Sequence, residues 1–503
     1  MTDAEGPYAL PEGWAWTTIG GAFVVESGGT PSTKNPTNFG GSIPWITPAD
    51  LSGFEEKYIS RGSRDITREG LESSSAKLLP KGTVVFSSRA PIGYVAIALN
   101  DLCTNQGCKN FIIPTGIFNE YVYYCLKGNK DLAESYASGT TFLELSAKRA
   151  AMIPFPLPPL PEQRRIVAKI EELFARLDAG VSALEKARAQ LKRYRQSVLK
   201  AAVEGRLTEE WRRGHPDVEP SSVLLERIER EREKSGRGRG KKLRPLDASG
   251  LPELPKGWTW ATVEQVADVA TGATPLRKNS KYYEDGTVPW ITSGALNNIF
   301  VTKASEMIAE IAIHETNAKI FPIHTLLVAL YGEGKTRGKV SELLVEAATN
   351  QACAALMFDG AASLIRPYIK LFFQKNYEDI RRLSSGGVQP NLNLGIIKTT
   401  VVPLPPKEEQ KEIVSEIERR LSVADKTEAT LEASLKGAAR LRQSILKKAF
   451  RGELVPQDPS DEPASALLER IRAERGEARP AGGRGRGRRG RPRKDAAIQA
   501  ELI

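Results

Sequence analysis

The sequence predicts an α+β protein in which two similar domains alternate with two long helices, and a pseudo-two-fold axis relates the two halves. Three observations predict this fold. The 503-residue chain contains one internal repeat, at an offset of 244 to 247 residues. Each half opens with short apolar runs between Gly- and Pro-rich turns, which are typical of strands. Each half then changes to the spacing of an amphipathic helix.

An ordered series of motifs carries the repeat. The copies are 10–14 and 254–258 (Leu-Pro-x-Gly-Trp), 30–31 and 274–275 (Thr-Pro), 44–46 and 289–291 (Pro-Trp-Ile), 104–106 and 349–351 (Thr-Asn-Gln), 156–159 and 403–406 (Pro-Leu-Pro-Pro), 162–163 and 409–410 (Glu-Gln), and 195–197 and 442–444 (Arg-Gln-Ser). Two copies are too few for a solenoid, but duplicated halves can bury a shared apolar helix face against each other. The repeat therefore predicts the pseudo-two-fold arrangement.

The repeat also divides the chain into segments. Residues 1–155 and 250–402 are the two α+β domains, 156–210 and 403–455 the two helical regions, 211–249 a short helix with a basic linker, and 456–503 a short helix with an Arg/Gly-rich basic tail. Within the domains, the apolar runs Thr83–Phe86, Tyr94–Ile97 and Leu326–Leu330 predict short strands, accompanied by some helix.

After Pro161 and Lys407, apolar residues recur at alternating steps of three and four. These positions, called here the heptad seam, are 167, 170, 174, 177, 181, 184, 188, 191, 195, 198 and 202, with equivalents 247 residues later. Nine of the eleven are apolar in each half, which favours a coiled-coil pair over two unrelated amphipathic helices. We expect the first helix to run from about 162 to 204 and both helices to stop at glycines, Gly205 and Gly452. Such a helix spans about 65 Å and would serve as a spacer.

The charge is concentrated in two short segments. The chain carries a net charge of +11, but thirteen cations lie in 236–244 and 479–494, which leaves −2 for the remainder. A nucleic-acid surface on the folded domains must therefore be a local patch. The four cysteines are too few for a disulfide framework, and no apolar window is long enough to span a membrane. These features predict a soluble cytoplasmic protein without a membrane partner.

The sequence contains no complete motif of a phosphate-binding loop or a base-methylating pocket. Tyr331–Thr336 resembles half of a phosphate-binding loop, but Ala329 stands where its first glycine is required, so we predict a hairpin loop there and at Ser87–Gly93. The chain has no Asn- or Asp-Pro-Pro-Tyr/Phe motif of a base-methylating pocket, and its three histidines lie in no nucleophile or metal pattern. We expect no catalytic residue, no metal site and no cofactor on this chain. The repeated Trp45, Trp290, Cys108 and Cys353 lie in apolar strings and are expected in the core.

Three polar loops recur in both domains and combine hydroxyls, amides and cations, the groups that bind phosphates and read base edges. Each loop alone is also compatible with an ordinary solvated loop, but the duplication favours binding. The candidate DNA contacts are Thr30, Ser32, Thr33, Lys34, Ser88, Arg89, Thr140 and Thr141 in the first domain, and Thr274, Arg277, Lys278, Lys281, Tyr282, Lys335, Thr336, Arg337, Lys339 and Gln389 in the second. In the basic tail, Arg489 and Arg491 belong to a segment like an AT-hook, which binds either the minor groove or phosphates alone.

Over nearly its whole length the chain resembles the specificity subunits of type I restriction-modification enzymes. The resemblance rests on the Leu-Pro-x-Gly-Trp, Thr-Pro, Pro-Trp-Ile, Thr-Asn-Gln, Pro-Leu-Pro-Pro, Glu-Gln and Arg-Gln-Ser motifs. It implies that 1–155 and 250–402 are target-recognition domains, each reading one half of a split sequence in double-stranded DNA. It also implies that the helices pair as an antiparallel coiled coil, fix the gap between the half-sites and dock two modification subunits. The differing loops of the two domains predict an asymmetric target.

The resemblance assigns the chemistry to partner subunits. The modification subunits would bring S-adenosylmethionine and adenine methylation, and restriction subunits would bring ATP, Mg and DNA cleavage. Two rival functions remain open from the residues alone. One is a non-catalytic coiled-coil scaffold protein with nucleic-acid-binding basic tails, and the other is a DNA-modifying enzyme with an unrecognised motif.

Overall fold

The computed structural model describes residues 6–89, 91–139, 143–235, 246, 249–304, 306–332, 335–382 and 391–477. The chain separates into two compact units. Unit 1 comprises residues 1–182 and 435–503, and unit 2 comprises residues 183–434. Each unit therefore contains one α+β domain, the first part of the long helix that follows that domain, and the last part of the other long helix.

The domain of unit 1 is built on a five-stranded sheet. The strands of this domain are β1 (Ala15–Thr18), β2 (Val24–Ser27), β3 (Phe39–Ile46), β4 (Tyr58–Ile59), β5 (Arg64–Ile66), β6 (Val84–Ser88), β7 (Ile92–Ala98), β8 (Cys103–Thr104), β9 (Cys108–Ile112) and β10 (Pro154–Leu157). The five-stranded sheet has the order β2-β9-β6-β7-β4, beside a three-stranded sheet β5-β3-β8 and a two-stranded ribbon β1-β10. Its helices are α1 (Ile19–Ala22), α2 (Pro48–Leu51), α3 (Arg68–Glu72), α4 (Asn119–Gly128), α5 (Lys130–Ser135) and α6 (Ala147–Ala150).

The predicted strands are confirmed, and their sequence pattern follows from burial on both faces. In β6, Val84 and Phe86 pack into one core cluster while Val85 packs into another. A central strand that is covered on both sides has no polar alternation, which is why it appears in the sequence as a continuous apolar run. Antiparallel pairing of β6 with β7 also confirms the predicted hairpin in this domain.

Between the two domains the chain forms α7 (Leu160–Val203), α8 (Glu209–Gly214) and α9 (Ser221–Lys234). The domain of unit 2 then repeats the topology. Its strands are β11 (Thr259–Thr262), β12 (Asp268–Thr271), β13 (Val288–Ile291), β14 (Phe300–Val301), β15 (Glu306–Ile308), β16 (Ile320–Phe321), β17 (Leu326–Ala329), β18 (Val340–Leu343), β19 (Ala347–Thr349), β20 (Cys353–Met357) and β21 (Val401–Leu404). The orders β12-β20-β17-β18-β14, β15-β13-β19-β16 and β11-β21 match the sheets of the first domain, with β16 as an added edge strand.

The helices of the second domain are α10 (Val263–Val266), α11 (Glu310–Glu315), α12 (Arg366–Lys375), α13 (Tyr377–Arg382) and α14 (Leu394–Thr399); α15 (Lys407–Phe450) and α16 (Ala464–Glu477) follow. The long helices α7 and α15 each contain 44 residues, about 65 Å of helix, and both begin directly after a proline-rich segment. Gly205 and Gly452 follow their ends with φ of 69° and 75°, the left-handed conformation that stops a helix. The predicted helix ends are confirmed to within two residues.

The heptad seam is the shielded face of both long helices. Along the middle of α15, the positions protected from solvent are 424, 428, 431, 435, 438 and 442, all of them seam positions. In the middle of α7 the seam is also followed, except that Arg188 is exposed and Ala187 is partly shielded instead. The charged end of an arginine side chain is more stable in water than against an apolar face, which explains why Arg188 is exposed and Ala187 is shielded.

Each unit contains contacts between a part of α7 and a part of α15. In unit 1, the Arg442 guanidinium pairs with Asp178 and lies 4.6 Å from the ring centroid of Phe174. In unit 2, Arg195 pairs with Asp425 at 2.6 Å and with Glu428 at 2.7 Å. The two arginines are equivalent positions of the repeat, so the same residue joins the helices in both units.

A second repeated contact, called here the tryptophan–glutamate latch, fixes each domain to its long helix. Trp14 Nε1 donates to Glu162 Oε2 at 3.0 Å in unit 1, and Trp258 Nε1 donates to Glu409 Oε2 at 2.9 Å in unit 2. The tryptophans precede β1 and β11, which pair with β10 and β21 immediately before the helices. The Leu-Pro-x-Gly-Trp and Glu-Gln motifs thus recur because together they close each domain.

The short helices α9 and α16 start on the same motif in their respective units. The backbone N–H of Ser221 donates to Gly257 O in unit 2, and that of Ala464 donates to Gly13 O in unit 1, both at 2.9 Å. Further along α16, Arg475 donates to the backbone oxygens of Gly20 and Gly21 at 3.1 Å. The segment after each long helix therefore packs on the domain of its own unit, and in unit 1 these contacts extend to Arg475.

Candidate nucleic-acid interface

The Thr-Pro loop, which follows β2 in unit 1 and β12 in unit 2, lies directly on the Thr-Asn-Gln turn. A Cβ atom on Gly28 would lie 2.0 Å from Asn105 O, and one on Gly272 would lie 1.8 Å from Thr349 O. Only glycine allows this approach of two backbones. Two motifs that are about 75 residues apart in the sequence thus form one local structure in each domain.

Side-chain hydrogen bonds hold this loop in place. Thr30 Oγ1 donates to Gln106 Oε1 in unit 1, and Thr274 Oγ1 donates to Gln351 Oε1 at 2.6 Å in unit 2. The indoles of Trp45 and Trp290 donate to the loop backbone, at Gly29 O (3.0 Å) and Ala273 O (3.2 Å). The threonine hydroxyls already donate inside the protein, so Thr30 and Thr274 position the loops and retain only acceptor capacity towards a ligand.

In unit 1 the tip of the loop presents polar groups to solvent. Ser32, Thr33 and Lys34 are exposed, as a DNA contact requires, and Arg89 is half-buried. Ser88 differs: it is fully buried in β6, and its hydroxyl donates to Gly107 O at 2.9 Å. The prediction that Ser88 contacts DNA is therefore corrected, because its hydroxyl has no access to a ligand.

In unit 2 the corresponding loop carries Arg277, Lys278 and Lys281, all exposed. The guanidinium of Arg277 binds both carboxylate oxygens of Glu306, at 2.5 and 3.1 Å. The hydrogen bond from Arg277 lowers the pKa of Glu306, and the same bond raises the pKa of Arg277. The half-buried Tyr282 donates its hydroxyl to Glu315 at 3.2 Å, so two predicted contacts of this loop are held by carboxylates.

The second candidate loop of unit 2 connects β17 to β18, and their antiparallel pairing confirms the predicted hairpin. Lys339 Nζ and Thr336 Oγ1 both donate to Asn297 Oδ1, at 2.9 and 3.3 Å. Lys335 is exposed and Arg337 is half-buried. Asn297 was not predicted, because it reaches this loop from a segment about 40 residues earlier that has no marked sequence motif.

Lys109 is a second residue that the sequence did not indicate. It is buried next to the Thr-Asn-Gln turn, where its ammonium donates to Gln106 O at 3.0 Å and to Ser88 Oγ at 3.3 Å. Burial lowers its pKa below the ordinary lysine value. Its counterpart in the second domain is Ala354, so the repeat provided no signal for it. Lys109 therefore holds the Thr-Asn-Gln turn on which the Thr-Pro loop of the first domain lies.

Five of the predicted contacts lie outside the described residues, whereas the four residues expected in the core lie within them. The five contacts are Thr140, Thr141, Gln389, Arg489 and Arg491. Trp45, Trp290, Cys108 and Cys353 are buried, which confirms their predicted place in the core. Burial raises the pKa of both thiols to about 12, far from the range of a reactive thiolate.

Among the described residues, no three His, Cys, Asp or Glu side chains come together in a way that could hold a metal ion. Over the same ranges, no helix has the length and apolar character needed to cross a membrane.

Comparison with known proteins places this architecture in a family. Residues 11–186 and 255–436 match the model of the type I restriction modification DNA specificity domain. The chain is 30% identical over 339 residues to the MjaIX type I restriction enzyme specificity subunit of Methanocaldococcus jannaschii, covering 66% of this chain and 69% of that protein. It is 26% identical over 495 residues to the EcoKI specificity subunit of Escherichia coli K12, covering 93% and 96% of the two chains.

Solved structures agree on the fold. The HsdS subunit of Thermoanaerobacter tengcongensis superposes with a TM-score of 0.54 at 20% identity, covering 89% of this chain and 99% of that chain. A chain from a study of assembly and conformational transition in a type I R-M system gives 0.59 at 20% identity, covering 89% and 100%.

Two domains that both match the DNA specificity model, and that present polar loops at equivalent places of the same fold, define a DNA-recognition protein. The chain belongs to the type I restriction-modification DNA specificity family. The family resemblance indicated by the motifs is confirmed, and so is the predicted role in DNA recognition within a restriction-modification system. The scaffold alternative has no support.

Proposed function

We propose that this chain reads an asymmetric, two-part target in double-stranded DNA and holds the two modification subunits that methylate it. The observation that carries the proposal is the duplicated loop site: the same Thr-to-Gln hydrogen bond and the same Trp-to-backbone hydrogen bond present a polar loop in both domains. The loops themselves differ, with Ser32, Thr33 and Lys34 in one domain and Arg277 held by Glu306 in the other. Because the same hydrogen bonds hold loops with different side chains, the two domains are expected to read two unequal half-sites.

In this proposal α7 and α15 pair as an antiparallel coiled coil about a pseudo-two-fold axis. The first part of α7 contacts the last part of α15 in unit 1, and the reverse combination holds in unit 2, which supports the antiparallel direction. The coil would set the distance between the half-sites. Inserting four residues near Ala187, about one turn of helix, should change the preferred gap, and an unchanged gap would argue against this ruler.

The docking of two modification subunits has its own support. Tyr194 and Leu441 are equivalent positions of the repeat, lie outside the heptad seam, and are 40% and 51% exposed. An apolar side chain left in water at the same place on both long helices suits two copies of one partner. We place S-adenosylmethionine on these modification subunits, and ATP and Mg on restriction subunits. In this proposal the chain binds DNA and the other subunits but catalyses no step, and it acts in the cytoplasm. Its two target-recognition domains are residues 1–155 and 250–402.

The experiment that tests the proposal is methylome sequencing of a host that carries this chain with its modification subunit, compared with the same host without this chain. We expect a new methylated motif in two unequal parts separated by a fixed gap. If the modification subunit is active with another specificity chain but no new motif appears with this one, the proposal fails.

A further inference from the structure

The two domains share an aromatic pair beside the Thr-Pro loop. In unit 1 the rings of Phe39 and Trp45 meet edge to face, with centroids 5.9 Å apart. Tyr283 and Trp290 are the equivalent residues of unit 2, at offsets of 244 and 245. Strand pairing places Arg64 opposite Trp45 in the first domain and Glu306 opposite Trp290 in the second. One register position therefore carries a cation in one domain and an anion in the other.

Both domains nevertheless hold a guanidinium against this aromatic pair. In unit 1, Cζ of Arg64 lies 3.6 Å from the ring centroid of Phe39. In unit 2, Cζ of Arg277 lies 4.9 Å from the centroids of both Tyr283 and Trp290. The first guanidinium comes from β5 and the second from the Thr-Pro loop. The same group thus reaches the same place from two different segments.

A guanidinium on a ring face keeps its N–H donors in a fixed plane, which suits two parallel hydrogen bonds to one acceptor edge. The O6 and N7 atoms of guanine in the major groove are such an edge. Arg64 and Arg277 are both exposed. Arg277 is bound to Glu306, whereas within the described ranges Arg64 has no carboxylate within ion-pair distance.

We propose that Arg64 is a specificity-determining DNA contact of the first domain, in the position that Arg277 takes in the second. The proposal rests on the proposed function, because it requires each domain to read one half-site. It assigns to the first domain a guanidinium, which its Thr-Pro loop lacks because the cation of that loop is Lys34. The recognised group is the acceptor edge of a base in duplex DNA, most simply guanine.

The test uses the full chain with its modification subunit and methylome sequencing as the readout. Arg64→Ala should lower methylation of the wild-type motif tenfold or more, or relax the sequence requirement at one base position. Any changed base should lie in one half of the motif only. Arg277→Ala should change the other half. Arg68→Ala is the matched control, because Arg68 lies just beyond β5, is exposed and pairs with Glu72 on its own helix; it should leave the motif unchanged.

The outcomes separate the possible failures. If the wild-type chain yields no two-part motif, the proposed function itself has failed. If the motif appears but Arg64→Ala leaves its bases and methylation unchanged, the inference on Arg64 is wrong. A uniform loss across the target and a scrambled duplex, measured by binding of the purified variant complex, would reduce Arg64 to a phosphate contact and also overturn it. A thermal unfolding midpoint equal to that of wild type shows that Arg64→Ala still folds.

Discussion

The two tryptophan–glutamate latches use the same tryptophan and glutamate but satisfy the buried carboxylate differently. Glu162 in unit 1 accepts from Trp14 and from the amide of Gln457, both of them neutral donors. Glu409 in unit 2 accepts from Trp258 and Thr208, and it also forms an ion pair with Arg212 at 2.7 Å. Burial raises the pKa of Glu162 although hydrogen bonds from Trp14 and Gln457 oppose the shift.

The difference shows which contacts of the latch are the same in both halves of the repeat and which contacts are particular to one half. The tryptophan, the glutamate and the strand ribbon between them recur because the domain cannot close without them. The remaining donors come from the segment that follows the other long helix: Gln457 lies beyond α15 and Arg212 lies in α8. These segments differ in sequence between the halves, so each buried carboxylate has different additional hydrogen-bond donors. The aromatic pair with its guanidinium, drawn from β5 or from the loop, follows the same rule.

The largest effect is expected from removing the cation of the second latch. Arg212→Ala leaves the Glu409 carboxylate buried without its charge partner, and we expect a loss of about 3 to 5 kcal/mol in the free energy of unfolding of unit 2. Urea unfolding of the full chain, followed by tryptophan fluorescence, measures it. Arg213→Ala is the control, because Arg213 is 70% exposed and its ion pair among the described residues is with the exposed Glu209 on its own helix, so its removal should cost less than about 0.5 kcal/mol. Equal losses in the two variants would contradict the assignment.

The elements with a strong period were predictable from the sequence. The seam spacing located the shielded face of both long helices because helical period converts directly into one face. The hairpins, the strands and the glycine stops followed from local signals in the same way. The Ser88 error arose at the end of such an element: β6 continues to Ser88, whereas the polar residues after Phe86 resembled the start of a loop.

The candidate interface was predictable only in part, because long-range pairing builds it. The repeated Thr-Pro and Thr-Asn-Gln motifs pointed to the correct loops, but the hydrogen bonds that join them are a property of the folded sheet. Glu306 and Asn297 contact the loops from segments 29 and 42 residues away, and Arg64 lies on the ring of Phe39 beside the loop. None of the three belongs to a repeated motif. Lys109 has an alanine as its counterpart, so comparison of the two halves hid it.

A smaller effect is expected at Glu306, because a carboxylate binds the guanidinium of Arg277 in the second domain but not that of Arg64 in the described part of the first. Glu306→Gln keeps the size of the side chain but removes the charge that binds Arg277, so Arg277 becomes free to attract phosphates. We expect the affinity for a scrambled duplex to rise about threefold to tenfold, which is about 0.7 to 1.4 kcal/mol, and the discrimination of the second half-site to fall. Fluorescence anisotropy of the complex on target and scrambled duplexes measures both. Glu346→Gln, an exposed change of the same charge in the same domain, is the control, and an equal rise there would mean that net charge alone is responsible.

The smallest effect is expected at the neutral latch. In the folded protein the pKa of Glu162 is raised above its ordinary value of about 4.3, so between the two values the folded state binds more protons and the free energy of unfolding falls as pH rises. Glu162→Gln removes this titration and can still accept from Trp14 through its amide oxygen. We expect a change within about 0.5 kcal/mol near pH 7 and a shallower pH dependence above the ordinary carboxyl pKa, measured by urea unfolding at several pH values. Glu409→Gln, which leaves Arg212 without an anion, should cost clearly more, and a Glu162→Gln variant as unstable as Glu409→Gln would show that both latches depend on a charged carboxylate.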